Sequence, residues 1–121
     1  MYLFDSFAWF EYFFGSEKGK IVKEIIDSDQ EIFTSSINLV EVYSKYLRER
    51  PDQAEEKRAF MLTRATLVDV SKEIATDASK LKVQYQMGLA DCIVLATARS
   101  KKVIVLTGDP DFKNFEDAKL I

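Results

Sequence analysis

The chain contains no histidine, and this absence excludes several common kinds of active site. Without an imidazole there is no histidine acid–base catalysis, no Ser-His-Asp triad and no histidine-ligated zinc. Any catalytic metal site must therefore be built from oxygen ligands, which favour hard cations such as magnesium or manganese. The chain also has only one cysteine, Cys92. It lies in an apolar segment, so we expect a reduced core thiol and a cytoplasmic protein.

Long hydrophobic runs are absent as well. No apolar segment approaches the roughly 20 residues that span a membrane, so we expect no membrane association. Residues 1–14 are apolar but contain Asp5 and Glu11, start without a basic region and lack a small-residue cleavage site, so no signal peptide is expected. No linker, repeat or low-complexity segment interrupts the 121 residues, which predict one domain, 1–121.

A strong charge of either sign is also missing. The formal net charge is -3, with 47% hydrophobic and 31% charged residues, which is typical of a soluble globular protein. This balance disfavours a simple polyanion-binding module. It is compatible with an enzyme that uses a few cations to approach a phosphate.

The segment Val103–Phe112, VIVLTGDPDF, is an apolar run that ends on acidic residues. Four apolar residues without alternation predict a strand covered on both faces, as in a parallel sheet flanked by helices. Ligands bind beyond the carboxyl ends of such strands, where Thr107, Asp109 and Asp111 lie. A second interpretation is open, because Asp109 before Pro110 is also a typical helix start with Asp as the N-cap.

The beginning of the chain has a similar arrangement. Tyr2–Phe4 is a short apolar strand that ends on Asp5 and Ser6, and the segment FAWFEYFFG then predicts a helix closed by Gly15. Asp5 can again be a catalytic acid or a helix cap. Asp91 presents the same choice at the start of the apolar helix LADCIVLATA, because the helix dipole favours an anion there.

A further acid, Glu41, lies within a helix predicted from Ile37 to Arg50. The apolar side of this helix has two stripes, Ile37, Val40, Ser44 and Leu47 in one and Leu39, Val42, Tyr43 and Tyr46 in the other. Most of its first three turns are therefore expected to be buried, with Glu41 inside the first stripe. Since a buried carboxylate is costly unless it is compensated, Glu41 needs a partner. That partner is either Lys45 at i+4 or a metal ion in an active site.

The remaining segments predict further helices and short strands. They are a helix Glu17–Asp27, a strand Glu31–Thr34, a helix Asp52–Arg64, an edge strand Thr66–Val70, a helix capped by Ser71 and ending near Gly88, and a terminal edge strand Ala118–Ile121. Alternation of strands with helices predicts a three-layer α/β/α domain around a mainly parallel central sheet of about five strands.

In such a fold the four acids meet at one edge of the sheet. Asp5 and Asp109 share the carboxyl edge of parallel strands, and the helix that starts at Asp91 begins at that edge. Glu41 joins them from the first turns of its own helix. Four carboxylates with no histidine or obvious arginine nearby repel one another unless protons or divalent ions intervene.

With its acids in this order, the sequence resembles the PIN domain family, metal-dependent nucleases that include VapC-type toxins of toxin–antitoxin pairs. The resemblance covers nearly the full length and depends on the segments LFDSFAW, SSINLVEVYSKY, GLADCIVLATA and TGDPDF. It implies a PIN-like domain whose catalytic, metal-binding acids are Asp5, Glu41, Asp91 and Asp109, with Asp111 as an auxiliary metal ligand. Ser6 and Thr107 match hydroxyl positions that support these acids.

The resemblance also implies an activity and partners. One or two Mg²⁺ ions, with Mn²⁺ as a substitute, would activate a water for in-line hydrolysis of RNA, leaving a 5′-phosphate and a 3′-hydroxyl without a covalent intermediate. A toxin-like member is expected to bind a cognate antitoxin and to form a homodimer. RNA binding is expected to use some of five basic residues, Lys45, Arg48, Lys82, Arg99 and Lys102.

The first helix predicts a surface for such a partner. Its aromatic residues form two stripes, one of Phe7, Phe10 and Phe14 and the other of Trp9, Tyr12 and Phe13. Only one stripe can face the sheet. We interpret the stripe of Trp9, Tyr12 and Phe13 as a contact with a second chain. The alternative is that it packs beneath the next helix.

Two other classes of function fit parts of the sequence. A PIN-like scaffold that binds RNA or protein without cleaving it can be distinguished from an enzyme only by an activity assay. A magnesium-binding phospho-receiver domain also gathers acids at the carboxyl edge of a parallel sheet. It requires an acidic pair after the first strand and a late lysine, whereas here Ser6 follows Asp5 and Gly108 and Asp109 occupy the late position.

Overall fold

Five short strands form one sheet in which every neighbouring pair is parallel. The computed structural model describes residues 1–121, with strands β1 (Tyr2–Phe4), β2 (Ile32–Ser35), β3 (Thr66–Val68), β4 (Ile104–Thr107) and β5 (Ala118–Leu120). Their order across the sheet is β3-β2-β1-β4-β5. The parallel sheet of about five strands that the sequence predicts is therefore confirmed, including both edge strands.

Six helices and one short 3-10 turn connect the strands. They are α1 (Ser6–Phe14), α2 (Glu17–Ile26), α3 (Ser36–Glu49), α4 (Pro51–Arg64), α5 (Lys72–Tyr85) and α6 (Leu89–Lys101), and the 3-10 turn Pro110–Phe112 follows β4. Side chains of α5 and α6 pack on one face of the sheet, and those of α1 to α4 pack on the other. No helix combines the length and apolar character needed to cross a membrane.

Each face of the sheet carries its own hydrophobic core. Leu3 of β1 joins the cluster beneath α5 and α6, whereas its neighbour Phe4 joins the cluster beneath the other helices, and both are fully buried. Successive side chains of a strand point to opposite faces, so the three central strands β1, β2 and β4 each contribute residues to both cores. This explains why β1 and β4 are unbroken apolar runs without alternation.

The end of α5 differs from the expected one by three residues, whereas the end of α2, both ends of α3 and the start of α4 differ by one residue. The helix capped by Ser71 ends at Tyr85, where Gln86 adopts a left-handed backbone with a φ of 56°, and does not run on to Gly88. Gly88 is instead the N-cap of α6. Pro51 begins α4 at the first helical position, where its missing N–H costs nothing.

Only one of the two apolar stripes of α3 is buried. The buried residues are Asn38, Val42 and Tyr46, whereas Val40 is 60% exposed and Leu47 is 49% exposed. Glu41 is exposed too, so the expectation of a buried Glu41 is wrong. The reason is that a helix presents only one side to the sheet, and the stripe containing Tyr46 takes that side.

The aromatic residues of α1 also pack differently from expectation. Trp9 is fully buried, with its ring in edge contact with Phe4 at 5.2 Å between centroids and stacked on Phe13 at 5.8 Å. Tyr12 and Phe13 are half-buried against Phe60 of α4. The expectation that these three rings form a free face is therefore wrong, because α4 covers them. In the other stripe only Phe14 is exposed, at 61%, and it stacks on the half-buried Phe10.

Candidate active site

The carboxyl ends of β1 and β4 deliver two acids to the same place. The strands pair directly, with Phe4 beside Leu106, and Asp5 and Asp109 follow these two strands. Both acids also cap a helical segment. Asp5 Oδ1 accepts a hydrogen bond from the Ala8 N–H at 3.0 Å, and Asp109 Oδ1 accepts one from the Asp111 N–H at 2.9 Å. Asp5 and Asp109 are therefore both helix caps and members of the acidic site.

A cleft of about 380 Å³ lies at this edge of the sheet. Its lining residues come from the starts of α1, α3 and α6 and from the segment after β4, and they are Asp5, Ser6, Phe7, Asn38, Glu41, Ala90, Asp91, Val94, Gly108, Asp109 and Pro110. The cleft therefore contains all four acids of the expected quartet. Helix N-termini point at it from several sides, which favours negative charge there.

Three carboxylates come together at the edge of the cleft, two from its lining and one, Asp111, from beside it. Oxygen atoms of Asp91, Asp109 and Asp111 all lie within 4.8 Å of one another. Asp91 and Asp109 are half-buried and Asp111 is exposed. The Asp109 N–H donates to Thr107 Oγ1 at 3.0 Å, so the Thr107 hydroxyl shapes the turn that carries Asp109 and Asp111. Such a spacing leaves room for one ion to contact all three groups.

Two of the acids have raised pKa values. Burial raises the pKa of Asp5 to about 6, while hydrogen bonds from the Thr107 hydroxyl and the Ala8 N–H oppose the shift. Burial also raises the pKa of Asp91 to about 7, and the nearby charges of Asp109, Asp5 and Asp111 add to this rise. Crowded carboxylates that hold protons near neutral pH indicate a site lacking compensating positive charge.

Glu41 reaches the cleft from α3 and is held by a hydroxyl. Ser6 Oγ donates to Glu41 Oε1 at 2.5 Å, and Asn38 Nδ2 donates to Ser6 Oγ at 3.2 Å. The expected alternative partner of Glu41, Lys45, instead pairs with Glu49 at 2.9 Å. Glu41 is therefore oriented toward the cleft by Ser6 and takes no part in a helical salt bridge.

No basic side chain neutralises the acids of the cleft. Every ion pair in the structure joins other residues. The donor set is made of carboxylate and hydroxyl oxygens, with no histidine in the chain and Cys92 of α6 buried in the core. A divalent cation that prefers oxygen ligands fits this set, and Asp91, Asp109 and Asp111 are the residues best placed to hold it.

The five basic residues expected to bind RNA are widely spread. Arg48 is exposed, forms no ion pair and lies two helical turns beyond Glu41 on α3. Lys45 is engaged with Glu49 and lies 5.7 Å from the ring centroid of Phe10. The Lys82 ammonium donates to the Met87 carbonyl at 3.1 Å, in the loop before α6.

Arg99 and Lys102 lie at the opposite end of α6 from the cleft. Arg99 is eight residues beyond Asp91, a rise of about 12 Å along the helix, and its guanidinium pairs with Asp117 at 2.9 Å. Lys102 is the C-cap of the same helix. These two residues are not among those that line the cleft.

Six of the eleven lining residues were not among the candidates from sequence, and Asn38 and Phe7 are two of them. Asn38 completes a capping box at the start of α3. Its position three residues after Ser35 is the sequence signal that could have identified it as part of this cap. Phe7 lines the cleft with its ring packed against Gly108. A sequence gives no sign of this contact, because the two residues belong to separate segments.

Solved structures of known proteins share this fold. A toxin–antitoxin complex from Klebsiella pneumoniae has a chain that is 23% identical with a TM-score of 0.85, and the match covers 98% of this chain and 96% of that one. VapBC2 from Rickettsia felis, bound to a promoter DNA fragment, gives 16% identity and a TM-score of 0.77, covering 99% of this chain and 96% of that one.

A third match is VapC20 from Mycobacterium tuberculosis, described as a Sarcin-Ricin loop cleaving toxin. It is 18% identical with a TM-score of 0.77, and the match covers 93% of each chain. At such identities the likeness is one of fold. No curated protein sequence matches the chain significantly. The family model described as PIN domain matches residues 2–118, and the chain therefore belongs to the PIN domain family.

Proposed function

We propose that this protein is a divalent-metal-dependent endoribonuclease that hydrolyses RNA phosphodiester bonds. The supporting observation is the meeting of Asp91, Asp109 and Asp111, whose oxygens lie within 4.8 Å of one another without a neutralising base. An oxygen-only site of this charge suits Mg²⁺, with Mn²⁺ as a substitute. Asp5 adds a carboxylate from the end of β1, and Glu41 adds one from α3.

The residues of the cleft have separate tasks in this proposal. Asp91, Asp109 and Asp111 would hold the cation, with Asp5 and Glu41 completing the set of ligands. When bound, such an ion supplies Lewis-acid activation of water and stabilises charge on the scissile phosphate. The Thr107 hydroxyl supports the ionised form of Asp5, because its hydrogen bond lowers the pKa of that carboxyl. Ser6 orients Glu41 through its hydroxyl.

The test is cleavage of a labelled RNA by the purified protein with Mg²⁺ or Mn²⁺. We expect cleavage that EDTA abolishes, with 5′-phosphate and 3′-hydroxyl ends. Asp91→Asn and Asp109→Asn should each reduce the rate by at least about a hundredfold, since each removes a carboxylate ligand.

Asp77→Asn is the matched control for these variants. It makes the same chemical change at an exposed position of α5 outside the cleft and should cleave like the wild type. Cleavage that survives EDTA, or that survives both cleft substitutions, would contradict the proposal. A protein that binds RNA and Mn²⁺ but leaves the RNA intact would be a PIN-like scaffold.

We further propose that the protein is the toxin of a toxin–antitoxin pair and acts in the cytoplasm. The support is the likeness to chains in toxin–antitoxin complexes, together with a lone, buried and unpaired Cys92, which suits a reducing compartment. Coexpression with the small protein encoded beside it should yield a stable complex and relieve growth arrest. Mapping the cleavage ends on cellular RNA would then identify the substrate.

The proposed antitoxin contact and the proposed homodimer need apolar surface, and α1 offers it at Phe10 and Phe14. Because Phe14 is 61% exposed, Phe14→Ser should weaken one of these associations without unfolding the chain. Light scattering of the isolated protein reports the homodimer, and copurification reports the antitoxin. A monomer in light scattering would refute the homodimer.

A further inference from the structure

One hydrogen bond holds the exposed side chain of Glu41 at the cleft. Ser6 Oγ donates to Glu41 Oε1 at 2.5 Å and joins α1 to α3. No lysine or arginine pairs with Glu41. A hydroxyl has a single hydrogen that can rotate between acceptors, so this bond orients Glu41 only if the direction of the Ser6 hydroxyl is itself fixed.

Asn38 fixes that direction. Its Nδ2 donates to Ser6 Oγ at 3.2 Å. An amide NH₂ group can only donate, so it occupies an acceptor position of the hydroxyl and leaves the hydroxyl hydrogen for Glu41. Asn38 is 1% exposed, and water therefore does not compete for its amide.

The orientation of the Asn38 amide is set by one partner that can only donate. Its Oδ1 accepts from the Ser35 backbone N–H at 3.1 Å, and a backbone N–H can only donate. Thr34 Oγ1 lies 3.4 Å from the same oxygen. Thr34 is held in turn by the Trp9 indole N–H at 3.0 Å and by the Phe4 carbonyl at 2.9 Å. The chain of contacts therefore runs from the core to the cleft.

We propose that Asn38 is a positioning residue, which acts through the Ser6 hydroxyl to hold the Glu41 carboxylate in one orientation at the cleft. The proposal deepens the proposed nuclease function and depends on it for its catalytic meaning. The orientation itself is a property of the cation-free protein and can be measured separately.

The first experiment uses NMR on the cation-free protein, with side-chain couplings and relaxation at Glu41. The wild type should show one dominant rotamer, whereas Asn38→Ala and Ser6→Ala should each show rotamer averaging. Asn38→Asp is a second variant that keeps the acceptor for the Ser35 N–H, and with it the helix cap, but removes the donor to Ser6. Persistence of the single Glu41 rotamer in Asn38→Ala or Asn38→Asp would overturn the proposal.

Ser71→Ala is the control for a lost helix cap. Ser71 Oγ caps α5 by accepting from the Ile74 N–H at 3.1 Å, on the opposite face of the sheet from α1. This substitution should lower thermal stability in the manner of a cap loss while leaving the Glu41 rotamer unchanged. Averaging at Glu41 in this control would mean that general destabilisation, not the Asn38–Ser6 contact, releases the carboxylate.

The second experiment measures Mn²⁺ affinity by isothermal titration calorimetry in a double-mutant cycle. Asn38→Ala should weaken binding about tenfold, as expected for a group that orients a ligand. In the Ser6→Ala background the same substitution should weaken it no further, because Asn38 acts through Ser6. Equal losses in both backgrounds, or no loss in either, would overturn the proposal.

The two proposals fail in different ways. If the wild type binds no Mn²⁺ and cleaves no RNA, the nuclease function fails, and the NMR comparison alone decides whether Asn38 orients Glu41. If the wild type cleaves RNA and Glu41 keeps its rotamer without Asn38, the nuclease function stands and the positioning role fails.

Discussion

The ring of Phe7 packs directly over Gly108, so closely that a β-carbon at position 108 would overlap the ring. Phe7 belongs to α1, and Gly108 belongs to the turn that leads from β4 to Asp109. The contact therefore joins the two segments that follow the central strands and bring Asp5 and Asp109 together. Glycine is needed at this position for space, since its φ is not in the left-handed region.

Gly108→Ala should destabilise the fold by about 1–3 kcal/mol, because the added methyl group must displace the Phe7 ring or the turn. Denaturant unfolding measures this change. In a Phe7→Ala background the same substitution should cost much less, because the obstructing ring is absent. Equal costs in both backgrounds would show that the contact with Phe7 is not the cause.

Stability of the cation-free protein should fall as the pH rises from about 5 to 8. Asp5 and Asp91 have folded-state pKa values near 6 and 7, above the ordinary value of 3.8, so the folded state binds more protons than the unfolded state in this range. Asp91→Asn should therefore be more stable than the wild type at pH 8, and the difference should narrow toward pH 5. Thermal unfolding in EDTA across this pH range measures the stability of the wild type and of Asp91→Asn. The control Asp77→Asn should follow the wild type.

Divalent cations should oppose the loss of folding stability at high pH. Mn²⁺ competes with protons for Asp91 and Asp5, so its affinity should fall as the pH drops below about 7. Saturating Mn²⁺ should raise the unfolding temperature at pH 8 and raise it much less at pH 5.5. A pH-independent effect of Mn²⁺ would indicate binding away from the buried acids.

Thr107→Val should shift the pH profile of RNA cleavage to higher pH. The Thr107 hydroxyl donates a hydrogen bond that lowers the pKa of Asp5, and valine keeps the shape of the side chain without the hydroxyl. The ionised form of Asp5 then appears only at higher pH, and the acidic limb of kcat/KM moves with it. An unchanged acidic limb would show that Asp5 does not control the profile.

Arg48→Ala should weaken RNA binding and reduce its salt dependence by about one unit of slope, as expected for loss of one phosphate contact. Arg48 is exposed, forms no ion pair and lies on the helix that carries Glu41. Lys102→Ala is the comparison variant, since Lys102 is at the far end of α6. Binding measured across a salt series should distinguish them, and an equal effect of both would contradict the assignment to Arg48.

Local sequence was sufficient to predict the sheet and the approach of the acids. An apolar run followed closely by Asp, at once after Phe4 and three residues after Leu106, predicts a buried strand with an acid near its end. Parallel strands share their carboxyl edge, so a common edge for Asp5 and Asp109 was predictable, whereas their closeness depends on the pairing of β1 with β4. The helix start at Ser71 was likewise predictable, because a cap depends on neighbours within three residues.

Which side of a helix faces the core was not determined in this way. Both α1 and α3 carry two apolar stripes, so periodicity permits either orientation. Phe60 of α4 covers the stripe of α1 that contains Trp9, and the sheet takes the stripe of α3 that contains Tyr46. Glu41 is exposed as a result, and its orientation depends on Ser6, which lies 35 residues away in the sequence. Contacts between distant segments decide these points, because only the packed chain brings the competing surfaces together.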